Sequence, residues 1–475
     1  MSAKKSTVKY MCSDCGAESA QWMGRCPVCG GWNTMEEFTI TEEKHYPVAL
    51  KETGGKAQKA SRLSEIHLGS EARNILDMPE VDRTLGGGIV PGSVILFGGE
   101  PGIGKSTLIL QLCHAVSKKG TKALYCTGEE SERQIKMRAD RLHMGEDECF
   151  ILADGNLTHI VETVEKLSPD FVVIDSIQTM YVPENDSPIG SPNQIKSCTS
   201  ALVKLAKMKN ITVLIVGHVT KEGNLAGPRM LEHMVDVVLY LEGDRSYQFR
   251  VLRTVKNRFG PTSETGLFIM KEDGLMGIKD PSGFLVRERK NPVAGSAITS
   301  CMEGQRAIMV EIQALAVHSV LSMPRRISVG FDYSRMIVLL AVLEKRAHIR
   351  LSQSDVYVNV ASGFKVQETA ADLSAAMAIV SAHWDIPVPP GVIAAGEISL
   401  TGEILPVTHV LARIKEAQRM HFTVFLLPEG NREEVEAWLS TQKDKETCHP
   451  VYVSQLSEAV SWMKQKKVTN QNIQG

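Results

Sequence analysis

Eight residues, Gly99-Glu100-Pro101-Gly102-Ile103-Gly104-Lys105-Ser106, follow the pattern G-x-x-x-x-G-K-[ST] and constrain the chain more than any other stretch. Ser93-Val94-Ile95-Leu96-Phe97 before them reads as a buried strand. Thr107-Leu108-Ile109-Leu110-Gln111-Leu112 after them opens a helical pattern that runs to about Lys119. Strand, glycine loop and helix start are the context the pattern requires. The glycines let backbone N–H groups face a polyphosphate, and the helix N-terminus adds partial positive charge. Residues Gly99 to Thr107 are therefore expected to hold ATP. Lys105 would reach the β- and γ-phosphates, and the Ser106 hydroxyl would sit on Mg²⁺. A glycine-rich turn that merely carries a lysine would need neither flank.

A chain of 475 residues exceeds one core, and about three domains is the expectation. The formal net charge of −2 announces no global attraction to nucleic acid, so any such binding must come from a local face. Met1–Ser6 lead into polar sequence, and no run approaches the roughly eighteen apolar residues of a membrane span, so a cytoplasmic protein without a membrane anchor is expected.

Four of the ten cysteines form two pairs, Cys12-x-x-Cys15 and Cys26-x-x-Cys29. Each pair brings two thiolates to one side of a tight turn, and together they complete a tetrahedral sulfur shell suited to Zn²⁺. Gly16 and Gly30 follow the second cysteine of each pair, where positive φ is favoured. Four ligands leave no open coordination position, so the zinc is expected to be structural. Redox pairs are the competing reading, but they lack the βαβ context such motifs need. The expected organisation is a ribbon over 1–38, closing near Trp32-Asn33-Thr34, and a linker over 39–61. An α/β ATPase domain follows over 62–280 and an α+β domain over 281–475.

Phe171-Val172-Val173-Ile174-Asp175 is an apolar run ending in an acid. Ligands of open α/β sheets bind beyond the carboxyl ends of the strands, which places Asp175 beside the Mg²⁺ held by Ser106. An Asp after a strand is also a common turn residue or cap, and the upstream P-loop tips the reading toward function. Ala123-Leu124-Tyr125-Cys126-Thr127-Gly128-Glu129-Glu130 is a strand ending in two acids. Glu129 is expected to be the catalytic base, with Glu130 opening the next helix. Two loops at strand ends, Met180–Asn193 and His218–Met230, are candidates for contacting DNA. Only the second carries cations, Lys221 and Arg229, while Tyr181 in the first offers one aromatic face.

The order of P-loop, acid pair and Val172-Val173-Ile174-Asp175-Ser176 resembles the RecA-type ATPases. Lys256-Asn257-Arg258-Phe259-Gly260 is more specific. With the cysteine ribbon and Trp32-Asn33-Thr34, it makes the chain similar to the bacterial RadA (Sms) family of DNA-repair and recombination proteins over nearly its whole length. The resemblance implies a homo-hexameric ring related to DnaB-type helicases, with ATP at subunit interfaces. Such a ring would load on single-stranded DNA, work with the recombinase RecA, and drive branch migration and D-loop extension. Lys256 and Arg258 would couple the nucleotide to DNA and to the neighbouring subunit. Read from the residues alone, they are two cations at i and i+2 on one face of a strand, before a Gly260-Pro261 turn, as a solvated strand end would also be.

Beyond Pro281, Gly396-Glu397-Ile398-Ser399-Leu400-Thr401-Gly402-Glu403-Ile404-Leu405-Pro406-Val407 resembles the proteolytic domain of Lon proteases. That family uses a Ser-Lys dyad. Here Ala371, within Glu368-Thr369-Ala370-Ala371-Asp372-Leu373, stands at the nucleophile, and Leu411 at the lysine; Ser374 and Lys415 are displaced. A proteolytically inactive Lon-like domain is expected, serving as a scaffold or adding a DNA-binding surface. A DNA-dependent ATPase is the leading expectation. An ATP-gated scaffold is the alternative, and an ATP-dependent protease is disfavoured by the missing dyad.

Overall fold

The computed structural model describes residues 7–12, 18–28, 30–40, 73–145, 148–217, 230–243, 249–286, 292–442 and 448–471. They divide into two compact units, Met1–Gly277 and Ile278–Gly475.

The first unit opens with β1 (Thr7–Cys12), β2 (Glu18–Ser19) and β3 (Met35–Ile40), paired antiparallel in the order β2-β1-β3. Cys12 pairs with Met35 and Thr7 with Ile40, so the ribbon continues past Thr34 and two residues into the stretch whose composition reads as linker. Cys12 and Cys26 are buried beside Met35. Gly30 adopts φ +76° in the second knuckle, and its N–H donates to the Cys26 carbonyl at 3.0 Å.

The ATPase core comprises α1 (Pro79–Thr84), β4 (Val94–Gly99), α2 (Lys105–Ser117), β5 (Ala123–Thr127), α3 (Glu132–Arg141), β6 (Cys149–Leu152), α4 (Leu157–Leu167) and β7 (Phe171–Asp175). It continues with α5 (Pro192–Lys209), β8 (Thr212–Val216), α6 (Met230–Met234), β9 (Val237–Glu242), β10 (Phe249–Asn257), β11 (Thr265–Lys271) and β12 (Gly274–Gly277). The strands form one sheet in the order β12-β11-β10-β9-β4-β8-β7-β5-β6. From β9 to β6 every pairing is parallel, whereas β10, β11 and β12 join antiparallel. Every residue of β4, β5, β7 and β8 is buried, as in a parallel sheet covered on both faces. One face packs on Leu108, Ile109 and Leu112 of α2, the other on residues of α4 and α5.

Local chemistry sets the helix starts. Ser131 and Gln134 form a reciprocal capping box on α3, Asn156 caps α4, and Ser191 caps α5 with Pro192 in its first turn. The α5 helix thus begins before Gln194, where periodicity alone would start it. The β11–β12 hairpin was not expected from pattern. Its Gly266 lies so close to the Glu80 carbonyl that a Cβ there would sit 2.4 Å away, so this strand needs a glycine that breaks its apolar run.

The second unit contains α7 (Pro281–Leu285), β13 (Ser296–Glu303), β14 (Arg306–His318), β15 (Arg326–Val329), α8 (Tyr333–Arg346), β16 (Ser354–Val360), α9 (Asp372–Trp384) and β17 (Val392–Ala394). The hairpin strands β18 (Glu397–Ile398) and β19 (Ile404–Leu405) follow, then α10 (Val410–Arg419), β20 (Val424–Pro428), α11 (Arg432–Thr441), β21 (His449–Val453) and α12 (Leu456–Gln471). A mixed sheet runs β15-β16-β14-β13-β17-β20-β21. Helix α9 is buried from Asp372 to Ser381. Helix α12 continues past Lys464, where polar composition suggests a frayed end. Among the described residues no helix is long and apolar enough to cross a membrane.

Candidate nucleotide site

The P-loop joins β4 to α2 at the edge of the sheet where β8, β7 and β5 also end. Gly99, Gly102 and Gly104 all take positive φ, at +155°, +78° and +115°. At Gly99 a Cβ would lie 2.6 Å from the Leu241 carbonyl, and at Gly104 the left-handed φ itself favours glycine, since the nearby Met270 Cε could yield. The buried Lys105 ammonium donates to the carbonyls of Gly99 at 2.7 Å and Glu100 at 3.0 Å. Burial lowers its pKa, opposed by the nearby carboxylates of Asp175, Glu129 and Glu100. The sequence-predicted lysine and both acids therefore share one electrostatic environment. Ser106 and Thr107 open α2 beside Lys105.

Asp175 ends β7 and pairs in register with Thr127 at the end of β5. The Thr127 hydroxyl accepts from the backbone N–H groups of Glu129 and Glu130, at 3.1 and 3.2 Å, and so shapes the turn that carries both acids. From there the two acids part. Glu129 Oε1 accepts from the Ser176 hydroxyl at 2.5 Å, next to Asp175, whereas Glu130 pairs with Arg138 of α3 at 2.6 Å. Glu130 is thus committed to an ion pair on α3.

Two residues at this edge escaped sequence reading. The Tyr125 hydroxyl donates to Asp175 Oδ2 from within the core. Arg250, 5 % exposed on β10, donates from Nε to the Ile103 carbonyl of the P-loop at 3.1 Å. Tyr125 lies among the apolar residues of β5 and Arg250 near the start of a strand that also carries Arg253, Thr254 and Lys256, and nothing in the local pattern singles them out.

The Lys256–Gly260 motif lies elsewhere. Asn257 pairs with Val237 at the start of β9, and Val237 pairs with Ile95 near the start of β4. The motif is therefore at the sheet edge opposite the P-loop, roughly 15 Å away along β4. Lys256 Nζ donates to the carbonyls of Glu232 at 2.7 Å and Val235 at 2.8 Å, at the end of α6. Burial lowers its pKa, with the Arg258 cation adding to the effect. Arg258 reaches Asp236 Oδ1 at 3.3 Å; Asp236 Oδ2 also accepts from the Val94 N–H at 3.0 Å and from Lys207 at 2.7 Å. Asn257 accepts from the Phe259 N–H at 2.9 Å, and Gly260 lies against Gly86.

Of the loops expected to contact DNA, the first buries Met180, Val182 and Asn185 and exposes Glu184, Asp186 and Ile189. Tyr181 exchanges backbone hydrogen bonds with Gly155 and Leu157 and is partly exposed. In the second, His218, Lys221 and Arg229 lie outside the described residues, as do Cys15 and Cys29 of the ribbon.

In the second unit, Ala371 is buried. The Ser374 hydroxyl donates within reach of the carbonyls of Ile298 and Ala394, at 2.9 and 2.7 Å, and Lys415 lies over the Trp438 ring. What joins the two dyad-equivalent segments is an ion pair. Arg413, fully buried, meets both carboxylate oxygens of Glu368, at 2.9 and 2.7 Å.

A family model described as an AAA domain matches residues 60–224, one described as a rubredoxin metal binding domain matches 10–37, and one for subunit ChlI of Mg-chelatase matches 328–431. The chain is 44% identical over 431 residues to DNA repair protein RadA of Listeria monocytogenes, covering 91% of this chain and 94% of that one. It is 45% identical over 428 residues to DNA repair protein RadA of Bacillus subtilis, covering 90% and 93%. Among solved structures, one described as an ATPase domain is matched over 92% of its own length and 44% of this chain. Its identity is 15% and its TM-score 0.39, too loose a likeness to bear on function. A metal-binding ribbon, a P-loop ATPase domain and a ChlI/Lon-like domain thus follow one another along the chain.

Proposed function

The chain belongs to the RadA family of DNA repair proteins, and from that premise we propose that it is an ATP-driven DNA motor of homologous recombination. It binds single-stranded DNA as a homo-hexamer, works beside the recombinase RecA, and promotes branch migration and D-loop extension. The observation that carries this reading is the division of the ATPase sheet. Phosphate-facing groups gather at one edge, and a cationic motif stands at the other, beyond the reach of its own nucleotide.

In this reading Lys105 and the P-loop amides hold the β- and γ-phosphates, and Glu129, steadied by Ser176, orients the attacking water. Mg²⁺ fits the hard oxygen donors of Ser106 and Asp175 and would supply charge neutralisation at the transferred phosphate. Lys256 and Arg258, remote from their own P-loop, serve a neighbouring subunit's site and report its state to DNA. Zinc suits the sulfur donors of Cys12, Cys15, Cys26 and Cys29, and Cys12 and Cys26 are already buried together. The Lon-like domain is proteolytically inactive in this reading, because Ala371 and Leu411 stand where a Ser-Lys pair would be needed.

The test is steady-state ATP hydrolysis across a single-stranded DNA titration at two salt concentrations, with Lys105→Ala as the reference for background. DNA stimulation that weakens with salt is expected, since phosphate contacts release counterions. Lys105→Ala should lower turnover at least about a hundredfold. A rate indifferent to DNA at both salts would refute the motor and favour an ATP-gated scaffold. Near-normal turnover in Lys105→Ala would overturn the P-loop assignment.

A further inference from the structure

Tyr125 occupies a position where phenylalanine would satisfy packing. It lies in the middle of β5, 1 % exposed, within the cluster formed by Leu108, Ile109 and Leu112 of α2 and by Phe97, Val173 and Val216 of neighbouring strands. A hydroxyl placed there must find a partner, because a buried donor left unpaired is costly. Its partner is Asp175 Oδ2, at the end of the adjacent strand. Strand register makes this reach possible. Tyr125 stands opposite Val173, and Asp175 is the next residue of β7 on the same face.

We propose that Tyr125 is a positioning residue for the metal-binding aspartate: its hydroxyl engages one oxygen of Asp175 and so fixes the direction in which the other is presented to a divalent cation. This rests on the assignment of Asp175 as the metal-side carboxylate. A carboxylate on a strand end can rotate about its terminal torsion, which is broad. A hydrogen bond from a ring locked in the core removes that freedom. Mg²⁺ demands near-ideal octahedral geometry, so it is the cation most sensitive to a misaimed carboxylate. The Ser176–Glu129 bond applies the same device one residue along, leaving the two acids steadied from different sides. Groups that orient a metal ligand from behind usually matter to metal affinity more than to fold.

The experiment measures binding of a fluorescent ATP analogue to the full-length protein while Mg²⁺ is titrated, for the unaltered chain, Tyr125→Phe, Asp175→Asn and the double variant. Phenylalanine preserves the ring and its packing, so affinity without Mg²⁺ should be unchanged. The Mg²⁺ concentration giving half of the metal-dependent gain should rise about tenfold in Tyr125→Phe. Asp175→Asn should abolish most of that gain, and adding Tyr125→Phe to it should change nothing further. Unaltered Mg²⁺ dependence in Tyr125→Phe, beside a clear loss in Asp175→Asn, would overturn the role of the tyrosine while leaving the aspartate assignment standing. Loss of Mg²⁺-free affinity in Tyr125→Phe would also overturn it, by tracing the effect to packing. Unaltered Mg²⁺ dependence in Asp175→Asn would overturn the aspartate assignment and the proposal together.

Discussion

Replacing Glu368 by leucine should unfold the second unit at markedly lower temperature. Arg413 is fully buried, and its guanidinium meets Glu368 through two hydrogen bonds while Nε donates to the Thr408 carbonyl at 2.9 Å. Glu368 Oε1 also accepts from the Met302 N–H at 2.8 Å. Glu368→Leu would strand a buried cation with carbonyl partners alone and leave that N–H unsatisfied. Breaking a buried pair from one side costs about 3–5 kcal/mol. For a unit of the size of Ile278–Gly475, each kcal/mol shifts Tm by roughly 2–4 °C, so a fall of about 6–20 °C is expected. Glu368→Gln keeps most of the hydrogen bonds and should cost less. Glu368→Leu combined with Arg413→Met removes both charges and should recover most of the loss, because well-packed apolar replacements of buried pairs are often neutral. Differential scanning calorimetry of the full chain would read the transition, with nucleotide binding as the control for the first unit. A Tm drop below about 2 °C in Glu368→Leu, or a double variant no better than the single, would refute the view that this pair locks the junction.

Two further outcomes are expected. Ala at Lys256 or Arg258 should lower D-loop extension at least about tenfold, by the reasoning for a lost charge-stabilising group. Stability should change by only about 1 kcal/mol, the worth of the hydrogen bonds to α6 or Asp236; unchanged extension would remove the motif's special role. Cys26→Ser should lose one equivalent of zinc by elemental analysis, and full retention would dismiss the ribbon as a four-cysteine site.

The phosphate loop was legible because its chemistry is local: glycines, a lysine and a helix start must be contiguous, and the chain writes them contiguously. The place of Asp175 at a strand end was legible for a related reason, since four apolar residues followed by an acid can be put there without knowing their neighbours. The diverging directions of the Glu129 and Glu130 side chains were not legible in pattern. They turn on Ser176, from a different strand end, and on Arg138, two turns into α3. Tyr125 and Arg250 were silent, because a polar tip on a core residue acquires meaning only from a partner distant in sequence, Asp175 for one and Ile103 for the other. Lys256 and Arg258 illustrate the remaining gap. Their motif could be read, but the end of the sheet on which it stands depends on β10 running antiparallel to β9, which no residue within the motif encodes.

Asp236 ties that last geometry to the strand of the phosphate loop. One buried carboxylate tethers the Arg258 side chain, the Lys207 ammonium of α5 and the first amide of β4. The guanidinium is therefore linked, through one carboxylate, to the root of the strand whose tip is the phosphate loop. Hydrogen-bonded on both sides by β8 and β9, that strand is a central, fully buried span between the two ends of the sheet. The phosphate loop and the Arg258 tether therefore stand at opposite ends of one strand clamped along both sides.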